Sequence, residues 1–292
     1  MPPKRDDDAR RRDATAPRLA PEEQASGTFT RQEPWRELQE KLGKAHEHPE
    51  LEGTRVGEGK TDYEVYVRTR ELLSLQPEPD ELVHPDELLF QVTHQSQELW
   101  MKLAAHEAVR FVRALDDDAF EAATAAAERI GRAFRAMTAD MNVLQTLTPA
   151  SFQVIRRSLG NGSGLQSPGF LALRHVAEAL SAALRRAFLR RQVELRQLYE
   201  DEARDPALFA MCERLLDLDE LFQLWLVNHF MLVRRTIGVD RTVQALDGYP
   251  TKALEVRMKK PLFPDLWDVR VRMTRDWDRD GGVAPGAPRP KT

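Results

Sequence analysis

The sequence predicts an all-α fold, a bundle of long helices. Apolar residues recur at spacings of three, four and seven along most of the chain, which is the period of one helix face. Period-two alternation, the mark of a half-buried strand, appears only weakly at residues 269–272. The hydrophobic content of 41% is enough to form the core of such a bundle.

The two ends of the chain are predicted to lie outside this bundle. Residues 1–30 combine prolines with runs of Lys, Arg and Asp and have almost no aromatic residues. Such a stretch buries too little apolar surface to offset the entropy lost on ordering, so it is predicted to be disordered. Residues 31–60 are predicted to form an N-terminal arm and linker, residues 61–272 the folded domain, and the Gly- and Pro-rich residues 273–292 a loose tail.

Prolines and acidic residues divide the folded domain into successive helices. Proline is tolerated in the first helical turn, and acidic side chains there interact favourably with the helix dipole. Long helices are predicted at about residues 61–76, 85–115, 116–144 and 168–199, with a further helix after Pro206. Residues 147–168 interrupt this regularity, because a short helix is followed there by a loop with three glycines in five residues.

Composition excludes several classes of function. The net charge is -4, from 43 basic and 47 acidic residues, so nothing indicates a nucleic-acid partner. The single cysteine, Cys212, excludes disulfides, a cysteine-rich zinc site and a thiolate-held iron–sulfur cluster within one chain. The N-terminus is too charged for a signal peptide, and no run of about 20 apolar residues is present. The sequence therefore predicts a cytoplasmic protein without a membrane partner.

Two histidines lie at the centre of apolar helix faces. His229 has Phe222, Trp225 and Leu232 at helical spacings around it, and His94 lies in a similar stretch upstream. One interpretation is that each is a core histidine hydrogen-bonded to a neighbour. The other is that both face a common site, with His229 as the axial ligand of a haem iron and His94 on the distal side. Motifs for a di-iron centre or for a Ser or Cys nucleophile are absent.

Arg156 lies among apolar neighbours in the short helix, close to Phe152, Ile155 and Leu159. A charge in such surroundings needs a partner, because an unpaired buried charge is costly. That partner is either a ligand carboxylate or, more commonly, an Asp or Glu of the protein itself. The glycines that follow lack the spacing of a phosphate-binding loop, so they indicate either close approach of the backbone to a ligand or a plain turn.

Several of these residues belong to five blocks with a distinctive pattern. The blocks are Tyr63-x-x-Tyr66, the histidine helix from His84 to Glu107, the segment from Thr148 to Ser167, the second histidine helix from Trp225 to Gly238, and the stretch from Leu262 to Arg270. In this order they resemble the tryptophan 2,3-dioxygenase family of haem-dependent aromatic oxygenases. The resemblance covers residues 61–272, and it implies a helical bundle that encloses a b-type haem and uses O₂ as co-substrate.

The resemblance also implies a role for each matching residue. His229 would be the axial ligand of the iron, while His94 and Ser163 would act on the distal side, His94 contacting the indole nitrogen. Arg156 would bind the carboxylate of an aromatic amino-acid substrate in a bidentate pair. The other implied substrate contacts are Phe90 and Leu159, beside the ring, and Tyr63 and Tyr66, which in the family reach a neighbouring subunit's pocket and imply a homotetramer.

The sequence departs from the family on the substrate side. The family's Gly-Thr-Gly-Gly loop, which closes over the substrate, is replaced by residues 239–250, where Thr242 or Thr251 stands loosely for the missing threonine. Met101 replaces a phenylalanine, and Leu171 replaces an arginine.

Three functions therefore stay open. A dioxygenase would insert both atoms of O₂ across the C2–C3 bond of L-tryptophan or a substituted tryptophan and give an N-formylkynurenine. A monooxygenase would insert one atom into a tryptophan or tyrosine derivative in natural-product biosynthesis. A haem-binding sensor would keep His229 without turnover, but it would have no reason to keep Arg156 and Ser163 together.

Overall fold

A computed structural model describes residues 62–78, residues 80–277 and residue 286. It divides the chain into two compact units, residues 1–81 and residues 82–292. The predicted disordered tail, N-terminal arm and linker lie outside the described residues, and so does most of the predicted C-terminal tail. The predicted domain limits stay a prediction.

The described part of the first unit contains two short helices, α1 (Asp62–Val67) and α2 (Thr69–Leu73). The prediction of one continuous helix over residues 61–76 is therefore wrong. Arg68, between the two helices, adopts a left-handed backbone conformation with φ 58°, and this conformation ends α1.

All the regular secondary structure in the described residues of the second unit is helical. Its helices are α3 (Glu87–Asp116), α4 (Phe120–Leu144), α5 (Pro149–Ser158), α6 (Pro168–Arg191), α7 (Leu195–Glu200), α8 (Pro206–Thr236), α9 (Leu254–Arg257) and α10 (Pro264–Arg275). No strand occurs in the ranges that the structure describes, where an isolated bridge pairs Gln244 with Pro250. The predicted all-α fold is confirmed, and the weak alternation at residues 269–272 belongs to α10.

Three of these helices begin with a polar side chain followed by proline. The side chains of Thr148, Ser167 and Asp205 each accept a hydrogen bond from a backbone N–H three residues later, at 3.1, 3.0 and 3.0 Å. Proline follows each of them, in the first turn, where its missing N–H costs no hydrogen bond. These signals explain why the starts of α6 and α8 agree with the prediction.

Two other predicted boundaries are wrong, and both have the same structural reason. The helix predicted to start at Asp116 begins at Phe120, because Asp118 adopts a left-handed conformation with φ 56°. The helix predicted to reach Tyr199 ends at Arg191, because Gln192 is also left-handed, with φ 53°. The short helix α7 follows this break.

The core of the second unit lies between its long helices. Helix α3 packs against α4 and α6, and α4 packs against α8. Helices α4 and α8 approach closely at Gly131, where an added Cβ would lie 3.2 Å from Leu221 Cδ1. Cys212 is buried in this core, and burial raises the pKa of its thiol to about 12, so the thiol is not an activated nucleophile. Among the described helices, none is both long and apolar enough to cross a membrane.

A buried carboxylate joins the C-terminal helix to α8. Asp219 is completely buried and accepts hydrogen bonds from the backbone N–H of Phe263 at 3.0 Å and from Trp267 Nε1 at 2.8 Å. Gln223 Nε2 donates a third hydrogen bond at 2.9 Å. These donors replace the hydration that the charge has lost, and they hold the start of α10 against the helix that contains His229.

Candidate active site

A cavity of about 260 Å³ lies in the second unit. Helices α3, α5 and α8 and the loop of residues 239–250 contribute to its wall, which is mostly apolar. The structure brings together at this cavity all of the site residues predicted in the histidine helices and in residues 148–167. These residues are Phe90, His94, Arg156, Leu159, Ser163 and His229.

His229 lies on α8, with its ring centroid 6.3 Å from that of Trp225. None of the described residues forms a hydrogen bond with its ring nitrogens, so a core histidine satisfied by a neighbour does not describe it. Burial, and to a smaller extent the charge of His94, lowers the pKa of His229 to about 4. The imidazole is therefore neutral near pH 7, which is the form that binds metal ions.

Trp225, one turn before His229, is held in place by the neighbouring helix. Its Nε1 donates a hydrogen bond to Gln97 Oε1 on α3 at 3.2 Å, and both side chains are buried. Its ring also lies 6.0 Å from the ring of Phe170. Because Gln97 follows His94 by about one helical turn, this hydrogen bond fixes the two histidine helices relative to each other. Gln97 was not predicted as a site residue, because its role depends on a contact between helices that are distant in the sequence.

His94 is oriented by its own helix. Its Nδ1 donates a hydrogen bond to the carbonyl oxygen of Phe90 at 2.7 Å, which places the proton on Nδ1 and leaves Nε2 as an acceptor. The Phe90 ring lies 4.1 Å from the imidazole, and the Phe152 ring lies 5.8 Å from that of Phe90. Burial lowers the pKa of His94 below its usual value, so this imidazole is also neutral near pH 7.

Glu98, which belongs to the histidine-helix block, also lines the cavity, although no site role was predicted for it. Its carboxylate accepts hydrogen bonds from the Ser167 hydroxyl and, at 3.0 Å, from the backbone N–H of Gly169. A Cβ added to Gly169 would lie 2.6 Å from Glu98 Oε2 and 2.8 Å from Met101 Cβ, so only glycine fits at this position. Glu98 therefore stabilises the N-terminus of α6 and its close packing on α3.

The loop of residues 239–250 is held to the cavity by two hydrogen bonds. Arg156 Nη2 donates to the carbonyl oxygen of Gln244 at 2.6 Å, and Ser163 Oγ donates to Asp247 Oδ2 at 2.5 Å. No Asp or Glu in the described ranges forms an ion pair with Arg156, so the common alternative of an internal carboxylate partner is not observed. Asp247 itself was not predicted, because its loop has no helical or strand period and Ser163 lies 84 residues earlier.

Comparison with known proteins shows which family contains this site. Residues 46–183 and 187–273 match the family model described as tryptophan 2,3-dioxygenase. The chain belongs to this family. Tryptophan 2,3-dioxygenases of Myxococcus xanthus and Xanthomonas oryzae pv. oryzae are each 31% identical to it, over 74% and 78% of this chain and 91% and 93% of their own. That of an Arthrobacter species is 30% identical, over 73% of this chain and 92% of its own.

Membership of the tryptophan 2,3-dioxygenase family identifies the chain as an enzyme, a haem-dependent oxidoreductase. The two substitutions noted on the family pattern occupy different environments. Met101 is buried and lines the cavity beside Gly169, whereas Leu171 is 43% exposed. A substitution at position 101 would therefore change the shape of the site, whereas one at position 171 would change the surface of α6.

Two threonines are candidates to replace the threonine expected in the family's loop, and they lie in different environments. Thr251 is buried, lines the cavity and accepts a hydrogen bond from the backbone N–H of Asp240 at 3.1 Å. Thr242 is exposed, and its hydroxyl donates to Asp240 Oδ1 at 2.7 Å. The local turn made with Asp240 holds Thr242 in this position, so the structure does not bring Thr242 to the cavity wall.

Tyr63 and Tyr66 belong to the first unit, on α1. Their exposed fractions are 70% and 89%, which are unusually high for aromatic side chains. Their predicted contact with a neighbouring subunit stays a prediction.

Proposed function

We propose that this protein is a haem-dependent dioxygenase of L-tryptophan or a substituted tryptophan. It inserts both atoms of O₂ across the indole C2–C3 bond and releases an N-formylkynurenine. The observation that supports this reaction best is the neutral imidazole of His229, without a hydrogen-bond partner among the described residues, in the cavity that also contains His94 and Arg156. Membership of the tryptophan 2,3-dioxygenase family supports the same reaction class.

The residues around His229 fit a b-type haem. A neutral imidazole with a free nitrogen is the usual axial ligand, and apolar side chains such as Trp225 and Phe170 suit the faces of a porphyrin. Among the described residues, no group of three or more His, Cys, Asp or Glu offers an alternative site for a bare metal ion. When bound, the haem supplies the iron that binds and activates O₂.

The remaining residues orient the substrate and exclude water. His94 Nε2 accepts the indole N–H, since Nδ1 is already engaged with the Phe90 carbonyl oxygen. Phe90 and Leu159 pack beside the indole ring, and the Ser163 hydroxyl adds a polar contact on the distal side. Arg156 exchanges the neutral carbonyl oxygen of Gln244 for the substrate carboxylate, because the charge-assisted pair is the stronger interaction.

A monooxygenase of a tryptophan or tyrosine derivative is the second candidate. The observation that favours it is the replacement of the family's glycine-rich loop by residues 239–250, which alters the side of the site that excludes water. A change there affects how many oxygen atoms the product retains and which aromatic amino acid is accepted.

Mass spectrometry of the product distinguishes the two reactions. The purified haem-containing protein is incubated with L-tryptophan under ¹⁸O₂, and a parallel reaction under ¹⁶O₂ in ¹⁸O-labelled water measures exchange with solvent. Two labels from ¹⁸O₂ in a ring-opened product are expected. A single label in an oxindole or a hydroxylated amino acid would assign the monooxygenase reaction. Turnover of a methylated tryptophan or tyrosine, with no consumption of tryptophan, would correct the substrate.

We also propose that the enzyme is a cytoplasmic homotetramer, as the Tyr63 and Tyr66 pattern of the family implies. Light scattering during size-exclusion chromatography measures the mass of the particle directly. A mass equal to that of one chain, at concentrations where the enzyme is active, would contradict the tetramer.

A further inference from the structure

Two of the charged side chains that line the cavity, Arg156 and Asp247, carry opposite charges and do not form an ion pair with each other. Arg156 donates to a backbone carbonyl oxygen, and Asp247 accepts hydrogen bonds from the Ser163 hydroxyl at 2.5 Å and the Tyr249 backbone N–H at 3.1 Å. Within the described residues, neither side chain forms an ion pair. A half-buried charge that has only neutral partners is poorly compensated, and it favours a ligand of opposite charge.

Both charges are associated with one short turn, residues 244–250. Asp247 belongs to this turn, and Arg156 donates a hydrogen bond to it. Gln244, which holds Arg156, pairs with Pro250 across the turn, and Gly248 N–H donates to the carbonyl oxygen of Ala245 at 3.0 Å. Asp247 lies inside this turn, between the pairing residues. The turn therefore keeps an anionic side chain, Asp247, and the contact point of a cationic side chain, Gln244, within three residues of each other.

We infer that Asp247 binds the ammonium group of an α-amino-acid substrate while Arg156 binds its carboxylate. This inference rests on the proposed function, and it assigns a specificity-determining residue to the replaced loop. A primary ammonium has three donors, and the Asp247 carboxylate has lone pairs beyond those used by Ser163 and Tyr249. The unpaired opposite charges are complementary to a zwitterion, so the site selects substrates with a free amino group.

The other carboxylate on the cavity wall, Glu98, is a weaker candidate for this role. Both of its oxygens are engaged at the start of α6, one with the Ser167 hydroxyl and one with the Gly169 N–H. A helix N-terminus already stabilises a negative charge, so Glu98 has a structural partner that Asp247 does not have. The experiment therefore includes both residues.

The test compares the binding of L-tryptophan with that of indole-3-propionate, which has the same skeleton without the amino group. Binding to the haem-containing protein is measured by isothermal titration calorimetry, so the readout does not depend on turnover. The variant Asp247→Asn removes the charge and retains an oxygen acceptor for Tyr249. Asp240→Asn is the matched control, because it removes a charge from the same loop at a residue that does not line the cavity.

The parent protein and the Asp240→Asn variant are expected to prefer L-tryptophan over indole-3-propionate. Asp247→Asn is expected to reduce this preference by about tenfold to a hundredfold, the range for loss of a charge-assisted hydrogen bond. Haem content and circular dichroism verify that the variant is folded, and Asp247→Glu provides a second variant that keeps the charge and part of the preference.

Three results would overturn the inference while leaving the proposed function intact. They are an unchanged preference in Asp247→Asn, no preference in the parent protein, and a loss of preference in Glu98→Gln but not in Asp247→Asn. A parent protein that binds neither indole ligand would overturn the proposed function, and the role of Asp247 with it.

Discussion

The cavity has two walls that are built in different ways. The helical wall, formed by residues of α3 and α8, includes Gln97 and Trp225, which are 5% and 6% exposed and are joined by a hydrogen bond between helices. The loop wall, formed by residues 239–250, has no helix and includes Tyr249, which is 59% exposed. It is attached to the rest of the site through Arg156 and Ser163.

This difference separates two tasks of the enzyme. The helical wall positions His94 and His229 by dense packing, and a densely packed core tolerates few substitutions without strain or loss of stability. The loop wall depends on a few hydrogen bonds of half-buried side chains, so it accepts substitutions at smaller cost. The motifs that resemble the family lie in the helical wall and the expected departures lie in the loop wall, so we expect substrate preference to differ from that of the relatives through the loop.

The largest effect is expected from His229→Ala, which removes the proposed iron ligand from the helical wall. Haem content per chain should fall to the background level, because the only neutral imidazole proposed to bind the iron is removed. The Soret absorbance of the purified variant measures this loss. His175→Ala, on the exposed face of α6, is the matched control and should retain haem. An unchanged Soret band in His229→Ala would remove the axial assignment.

Arg156→Ala tests the connection between the substrate and the loop wall. We expect kcat/KM for L-tryptophan to fall by about tenfold to a thousandfold, or about 2–4 kcal/mol, through loss of the carboxylate pair. The value of kcat/KM for tryptamine, which has no carboxylate, should fall much less. The adjacent exposed Arg157, replaced by alanine, serves as the control. Equal losses for both substrates would show that Arg156 acts only by holding the loop at Gln244.

Gly169→Ala tests how tightly the helical wall is packed. The added methyl group would meet Glu98 Oε2 and Met101 Cβ at less than van der Waals distance, so we expect a loss of about 1–3 kcal/mol in the free energy of unfolding. Denaturant titration provides the measurement. Gly164→Ala, where an added Cβ meets nothing within 4 Å, should change it by less than about 0.5 kcal/mol. Similar results for both variants would refute the tight packing of α6 on α3.

The smallest effect is expected from His94→Ala. If His94 only accepts a hydrogen bond from the indole, kcat should fall by about tenfold while haem content stays at the parent level. Steady-state kinetics and the Soret absorbance, measured on the same preparation, separate these two quantities. A loss of haem as large as that in His229→Ala would mean that both histidines bind the iron.

The sequence predicts the helical wall well because its signals are local. The stripe around His229 and the polar-residue–proline starts of α6 and α8 depend on neighbours within a few positions. The breaks at Arg68, Asp118 and Gln192 were not predictable in this way. All three residues adopt a left-handed conformation without being glycine, the residue type that most often marks such a break in a sequence.

For the loop wall, the sequence predicted only that it differs from the family's glycine-rich loop. The sequence shows that the glycine-rich loop is missing, but it does not show which side chain replaces its contacts. Asp247 reaches Ser163 through a turn whose hydrogen bonds connect residues 245, 248 and 249, and no periodic pattern marks it. The prediction placed the substitute at Thr242 or Thr251, since a threonine was the residue expected by analogy.

The buried carboxylate of Asp219 has a consequence for the order in which the chain matures. During synthesis, α8 leaves the ribosome before α10, yet two of the three donors to Asp219 belong to Phe263 and Trp267. Until those residues emerge, burial of the carboxylate lacks two of its three donors and is less favourable, so we expect α8 to be less stable in its final position. We therefore expect a chain that stops before Phe263 to keep one of the three donors to Asp219 and to hold α8, and with it His229, less firmly than the longer chain does.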